Sequence, residues 1–157
     1  MSIKAVFFDI DHTLLSHTQH HIPESAARAL NELKAKGIQR VLATGRHIVQ
    51  MESLPDVLDH EYDGYVLLEG QLCLDGQRNI VSSVPIKGEA LQEVLALFER
   101  REKSVFLFEP TKIYVNCYDE QAQEILKMDT NYLPPIEPYD GGDVLMASVF
   151  ATPEEEE

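Results

Sequence analysis

The stretch Ala5-Val6-Phe7-Phe8-Asp9-Ile10-Asp11-His12-Thr13-Leu14-Leu15 decides how this chain is read. Ala5 to Phe8 is an uninterrupted apolar run, the pattern of a short strand buried on both faces of a parallel sheet. Asp9 and Asp11 stand two apart at its end, so strand periodicity would point both side chains the same way. Two close carboxylates repel each other unless a cation or a proton lies between them. The pair therefore implies a hard cation such as Mg²⁺, or one carboxyl kept protonated for acid catalysis. Thr13 adds a hydroxyl in the turn behind them.

Working outward, a helix is expected from about Pro23 to Lys36. Ala26, Leu30 and Leu33 form its apolar face, Pro23 suits its first turn, and Gly37 is placed to cap its end. Ile38 to Ala43 reads as a second buried strand, and Tyr65 to Leu68 as a third. Between them, Ile48, Met51 and Leu54 mark a helix that Pro55 interrupts or ends. Strand, helix, strand, helix, strand implies right-handed crossovers and an α/β fold with a parallel, Rossmann-like three-layer core. Ligands of such sheets bind at the carboxyl ends of the strands, so residues just after Phe8, Ala43 and Leu68 should converge.

The second constellation is therefore Val41-Leu42-Ala43-Thr44-Gly45-Arg46. A hydroxyl ends the strand, a glycine permits close backbone approach, and a cation opens the next helix. Helix N-termini with free N–H groups and a nearby arginine hold anions. Beside the Asp9/Asp11 strand end, Thr44, Gly45 and Arg46 read as a phosphate cradle facing a metal-binding carboxylate pair.

Beyond residue 70 the pattern changes. Leu72–Leu74 and Ile80–Val84 flank Asp75-Gly76, a hairpin signal. Leu91, Val94, Leu95 and Phe98 follow the spacing of an amphipathic helix. Val105–Phe108 and Ile113–Cys117 read as strands, Asp119 as the cap of a further helix, 131–142 as loop, and Val144–Phe150 as a last strand. A boundary between subdomains falls near residues 83–87. The expected division is 1–84 and 85–157, an α/β unit and an α+β unit with an acidic tail.

With 157 residues the chain has the length of one ordinary domain, long enough for a core without disulfides. Its 13 basic and 27 acidic side chains give a net charge of −14, which disfavours nucleic acid as a partner, since that needs Lys and Arg to displace counterions. Glu154 to Glu157 account for only part of the imbalance. No apolar run approaches the roughly 18 residues that would cross a bilayer. Cys73 and Cys117 form no close pair and fit buried free thiols in a reducing compartment. A cytoplasmic protein without membrane partners is the expectation. His17, His20 and His21 have near-ligand spacing but read better as a solvated loop.

Phe7–Leu15 and Val41–Arg46 resemble the first and second motifs of the haloacid dehalogenase superfamily. The likeness is to its Cof-type sugar-phosphate phosphatases, whose large α/β cap follows the third core strand. Ile22-Pro23, the helix after it and Leu68-Glu69-Gly70-Gln71 extend the resemblance over residues 3–84. The resemblance makes 1–84 the N-terminal part of a core and 85–157 a partial α+β cap. It implies that Asp9 is a nucleophile forming an aspartyl-phosphate and, with the Asp11 backbone carbonyl, a Mg²⁺ ligand. Asp11 would protonate the leaving alcohol and then deprotonate the attacking water. Thr44 and the Gly45 amide would hold phosphoryl oxygens, with Arg46 close by, and Thr13 would orient the loop. The implied partner is a small phosphorylated metabolite.

Three departures accompany the resemblance. His12 stands where most relatives have Gly, and Glu69 where Cof-type relatives usually have Asn. The family's third-motif Lys and fourth-motif acidic pair are not recognisable: Lys112 falls in a hairpin turn, and Asp140-Gly141-Gly142-Asp143 follows a Pro-rich loop. Two functional readings follow, an Mg²⁺-dependent phosphomonoesterase or a non-catalytic, phosphatase-like binding module. A core lacking its later strands would leave the first strand with an open edge, so self-association of the chain through that edge is expected.

Overall fold

The computed structural model describes residues 2–15, 21–129 and 132–151. His17, His20 and the Glu154–Glu157 tail lie outside the described residues. The chain divides into two compact units, Met1–Ser83 and Val84–Glu157.

The first unit is a five-stranded sheet in the order β1 (Ala5–Phe8), β2 (Gln39–Ala43), β3 (Gly64–Leu67), β4 (Leu72–Asp75), β5 (Ile80–Ser83). The first three strands are parallel, with Phe7 paired to Val41 and Leu42 to Tyr65. β4 and β5 are antiparallel additions, so the sheet is mixed and the fold is α/β. Leu42, Leu67 and Leu72 are fully buried, which is what fixes the register of the three central strands.

Crossover helix α1 (Glu24–Ala35) turns Leu30 into the core and ends on Gly37 at φ 66°. There the Ile38 N–H donates to the Leu33 carbonyl at 3.0 Å and the Gly37 N–H to the Lys34 carbonyl at 3.0 Å. Those two bonds satisfy carbonyls that the helix leaves open, and only a left-handed residue permits them. The helical stretch marked by Ile48, Met51 and Leu54 is interrupted at Pro55, one of the two outcomes its context allowed. Pro55 begins a second helix, α3 (Pro55–Leu58), after α2 (Ile48–Met51), in keeping with the tolerance of proline for a first turn.

β1 departs from the expectation of a strand buried on both faces. It lies at the end of the sheet order, and Phe7 is 61% exposed. Among the described residues only β2 pairs with it.

The second unit is an antiparallel sheet ordered β7 (Ile113–Val115), β6 (Val105–Phe108), β8 (Met146–Val149). Helix α4 (Gly88–Arg100) packs Phe98 against Val105, Leu107, Tyr114 and Val144. Buried Asn116 satisfies its whole amide: Oδ1 accepts from the Val105 and Cys117 N–H groups, and Nδ2 donates to the Phe98 and Lys103 carbonyls. Asp119 caps α5 (Glu120–Asp129) by accepting from the Ala122 N–H at 2.8 Å. Lys112 sits on the Glu137 carboxylate and over the Tyr114 ring, within this unit. Both cysteines are free and partly buried.

Candidate active site

Because β1, β2 and β3 are parallel, their carboxyl ends share one edge of the sheet. Asp9 follows β1, Thr44-Gly45 follow β2, and a 3₁₀ turn at Leu68–Gly70 follows β3. A cavity of about 420 Å³ is lined there by Asp9, Thr44, Gly45, Glu69 and Gly70, with Ala43 and Val66. Residues from all three strand ends thus meet in one place.

The strand does not continue through the carboxylate pair. β1 ends at Phe8, and the Ile10 carbonyl accepts from the N–H groups of Thr13, Leu14 and Leu15, closing a tight turn. Asp9 is exposed, and its Oδ1 accepts from the Ile10 N–H at 2.8 Å. Its Oδ2 has no partner among the described residues. Asp11 points elsewhere. Its two oxygens take Nε and Nη2 of Arg46 at 2.7 and 2.8 Å, a bidentate ion pair. The Arg46 hydrogen bonds hold the Asp11 carboxyl below its ordinary range, outweighing a smaller upward push from burial.

Same-face alignment of Asp9 and Asp11 therefore gives way to a division of labour. One carboxylate opens on the cavity, and the other is neutralised by the arginine read as part of the phosphate cradle. Asp11, Thr13 and Arg46 are not among the residues lining the cavity. Thr13 is exposed in the turn.

Thr44 is 8% exposed and tied at both ends: its N–H donates to the Val66 carbonyl, and its Oγ1 accepts from the Arg46 N–H. The buried His47 caps α2, accepting from the Val49 N–H on Nδ1 while Gln50 Oε1 accepts from the His47 N–H. This reciprocal cap sets the exit of the chain from the Thr44 loop. Its signal was the glutamine three residues after His47.

His12 adopts φ 62°, a left-handed conformation that glycine takes without strain, in keeping with the glycine that the resemblance puts at this position. The Leu68-Glu69 turn is left-handed too, at φ 51° and 54°. Leu68 is fully buried and anchors it, while Glu69 is exposed on the cavity side. A Cβ placed on Gly45 would lie 2.5 Å from Glu69 Oε1, so the carboxylate rests over the glycine.

Another cavity of about 470 Å³ lies by Gln39, Arg40 and Tyr62–Asp63, at the opposite strand ends. Its charges are matched in pairs, Lys34 with Glu61 and Arg40 with Asp63. Among the described residues no three His, Cys, Asp or Glu side chains gather as a metal site.

A family model described as haloacid dehalogenase-like hydrolase matches residues 6–145. The Bacillus subtilis protein named "Putative phosphatase YkrA" is 27% identical over 161 residues, covering 99% of this chain and 60% of that one. The structure of the HAD subclass IIB sugar phosphatase BT4131 superposes with a TM-score of 0.74 at 31% identity, over 98% of this chain and 60% of the other. A further structure, from work on a trigonal-bipyramidal intermediate in a phosphoryl-transfer superfamily, gives a TM-score of 0.82 at 29% identity, over 99% and 61%. The chain spans about 60% of the length of these relatives.

Proposed function

The chain belongs to the haloacid dehalogenase-like hydrolases, and on that premise we propose that its first unit carries the phosphoryl-accepting half of an Mg²⁺-dependent phosphomonoester hydrolase for sugar phosphates or related small phosphates. The observation that carries this reading is the single cavity in which Asp9, Thr44 and Gly45 meet. An oxygen of Asp9 attacks phosphorus, the ester P–O bond breaks, and the leaving alkoxide takes a proton. Water then attacks the aspartyl-phosphate, the P–O bond to Asp9 breaks, and inorganic phosphate leaves. Splitting one displacement into two in this way is what a carboxylate nucleophile offers.

Asp11 is assigned the proton transfers. Clamped and ionised by Arg46, it is set to accept a proton from water. Donating one to the leaving alkoxide, the earlier step, requires Arg46 to let go and Asp11 to take up a proton from solvent. The attacking water later returns that proton to Asp11, and the released guanidinium is free for the phosphoryl oxygens.

The donor set suits Mg²⁺, a hard cation often held by one or two carboxylates and completed by water and substrate phosphate. The Asp9 carboxylate, with an unengaged Oδ2, and the Asp11 backbone carbonyl would hold it, and it would supply neutralising charge to the phosphoryl group. Release of p-nitrophenol from p-nitrophenyl phosphate should require Mg²⁺ and fall on the order of 10³-fold or more in Asp9→Ala. Unchanged turnover in that variant overturns the assignment.

A second reading, a non-catalytic phosphate-binding module, is favoured by one fact: Arg46 holds as an anion the carboxyl assigned to protonate the leaving group. Inorganic phosphate binding without any turnover would select it.

For partners we propose a small phosphorylated metabolite and, through the open edge of β1 with its exposed Phe7, a second copy of the chain. A stable monomer in size-exclusion chromatography rules out the second. No described helix is long and apolar enough to cross a membrane, and we place the protein in the cytoplasm.

A further inference from the structure

The geometry points to Glu69 as the residue that selects the leaving group, favouring phosphomonoesters that present hydroxyl or ammonium donors beside the ester and rejecting those with a second anion there. The inference rests on the reading of Thr44 and Gly45 as a phosphoryl cradle, and it goes beyond that reading in naming the substrate class.

Three observations carry it. Glu69 lines the same cavity as Asp9, Thr44 and Gly45, so a group attached to a phosphoryl held there lies within its field. Its carboxylate is brought over Gly45, with Oε1 2.5 Å from where a Cβ would stand, so the absence of a side chain at 45 is what gives it room. It is delivered by a left-handed turn pinned through fully buried Leu68, and this sets where residue 69 stands at the sheet edge. Unlike Asp11, which is saturated by Arg46, Glu69 makes no hydrogen bond or ion pair with a described residue.

An ionised carboxylate is an acceptor only, so its lone pairs can be met by ligand donors or by water but never by another anion. A second phosphate or carboxylate on the leaving group would be pushed against it, a repulsive element of the kind that sets specificity. A carboxylate resting on the cradle glycine also opposes the phosphoryl group, and that cost falls on every phosphomonoester alike, so its selectivity is read from ratios between ligands.

The test is titration calorimetry on the full chain with Mg²⁺, in an Asp9→Asn background so that nothing is hydrolysed. The probes are inorganic phosphate, glucosamine 6-phosphate, glucose 6-phosphate and fructose 1,6-bisphosphate. With Glu69 present, glucosamine 6-phosphate should bind about tenfold more tightly than the bisphosphate, and Glu69→Gln should reduce that ratio to about twofold or less. Inorganic phosphate should tighten in Glu69→Gln by several-fold less than the bisphosphate does.

Glu69→Asn, which left-handed backbone accommodates readily, repeats the measurement should the glutamine variant prove unstable. An unchanged ratio overturns the role of Glu69 while leaving the cradle intact. Equal tightening of all four probes overturns it too, since the carboxylate would then merely obstruct the cavity. Failure of inorganic phosphate to bind with Glu69 present overturns the cradle reading and this inference with it.

Discussion

The loop after β1 and the turn after β3 bring a carboxylate to the same edge of the first unit's sheet, Asp11 just before the left-handed His12 and Glu69 itself left-handed, but they treat it in opposite ways. Asp11 lies within the tight turn closed on the Ile10 carbonyl and is held by two charge-assisted hydrogen bonds from Arg46. Glu69 rides on a turn fixed by the buried Leu68 and keeps its oxygens for whatever enters the cavity. A paired carboxylate has a defined position and a depressed affinity for protons. An unpaired one is a recognition element. Left-handed strain falls on Glu69 and its neighbour Leu68 in one turn, but on His12 and not on Asp11 in the other.

The largest stability effect that would break this contrast is loss of the Leu68 anchor. Leu68→Ala should cost about 2–5 kcal/mol in urea unfolding, because it empties a fully buried site beneath a strained turn. A smaller cost would mean that the turn is held by something other than its leucine.

Next in size is the clamp. Arg46→Met should lower p-nitrophenyl phosphate turnover about 10–100-fold and shift its acid limb upward, since Asp11 regains its proton more easily. The sign for stability follows from the same pair. With the folded-state value depressed, the pair stabilises the protein above the ordinary Asp range, and that contribution is lost as pH falls through the lower value. Urea midpoints measured from about pH 6 to pH 3 should therefore drop less in Arg46→Met than in the parent chain. Parallel curves would show that the clamp contributes nothing to folding.

The smallest effect concerns His12. Replacing it by Gly should raise stability by about 0.5–1 kcal/mol in the same urea assay, left-handed strain relieved outweighing the freer unfolded chain. A loss would mean that the imidazole's own contacts matter more than its backbone.

Much of the first unit was legible because its signals are local. The apolar runs at Ala5–Phe8 and Val41-Leu42-Ala43, the glycine at 37 and the hairpin around Asp75-Gly76 each specify one element through short-range chemistry. Even there the detail differs: the left-handed residue of the hairpin is Arg78, while Gly76 makes room for the Tyr62 carbonyl. The Asp11–Arg46 pair was not legible, being a contact across 35 positions that depends on the turn at Ile10. Its one hint was that two neighbouring carboxylates need a cation, and Arg46 heads the adjoining segment. The exposure of Phe7 was hidden for a different reason. An apolar run reports what a strand can bury, and its neighbours decide what it does bury.

The abutment of Glu69 on Gly45 couples two positions 24 apart in the sequence. Any side chain introduced at 45 must first displace the carboxylate, whereas position 69 can be shortened without touching 45. The order of substitution then matters. In a lineage or a directed-evolution experiment, change at 69 opens routes at 45 that are closed while the glutamate remains, so the two sites should show strong epistasis in one direction only.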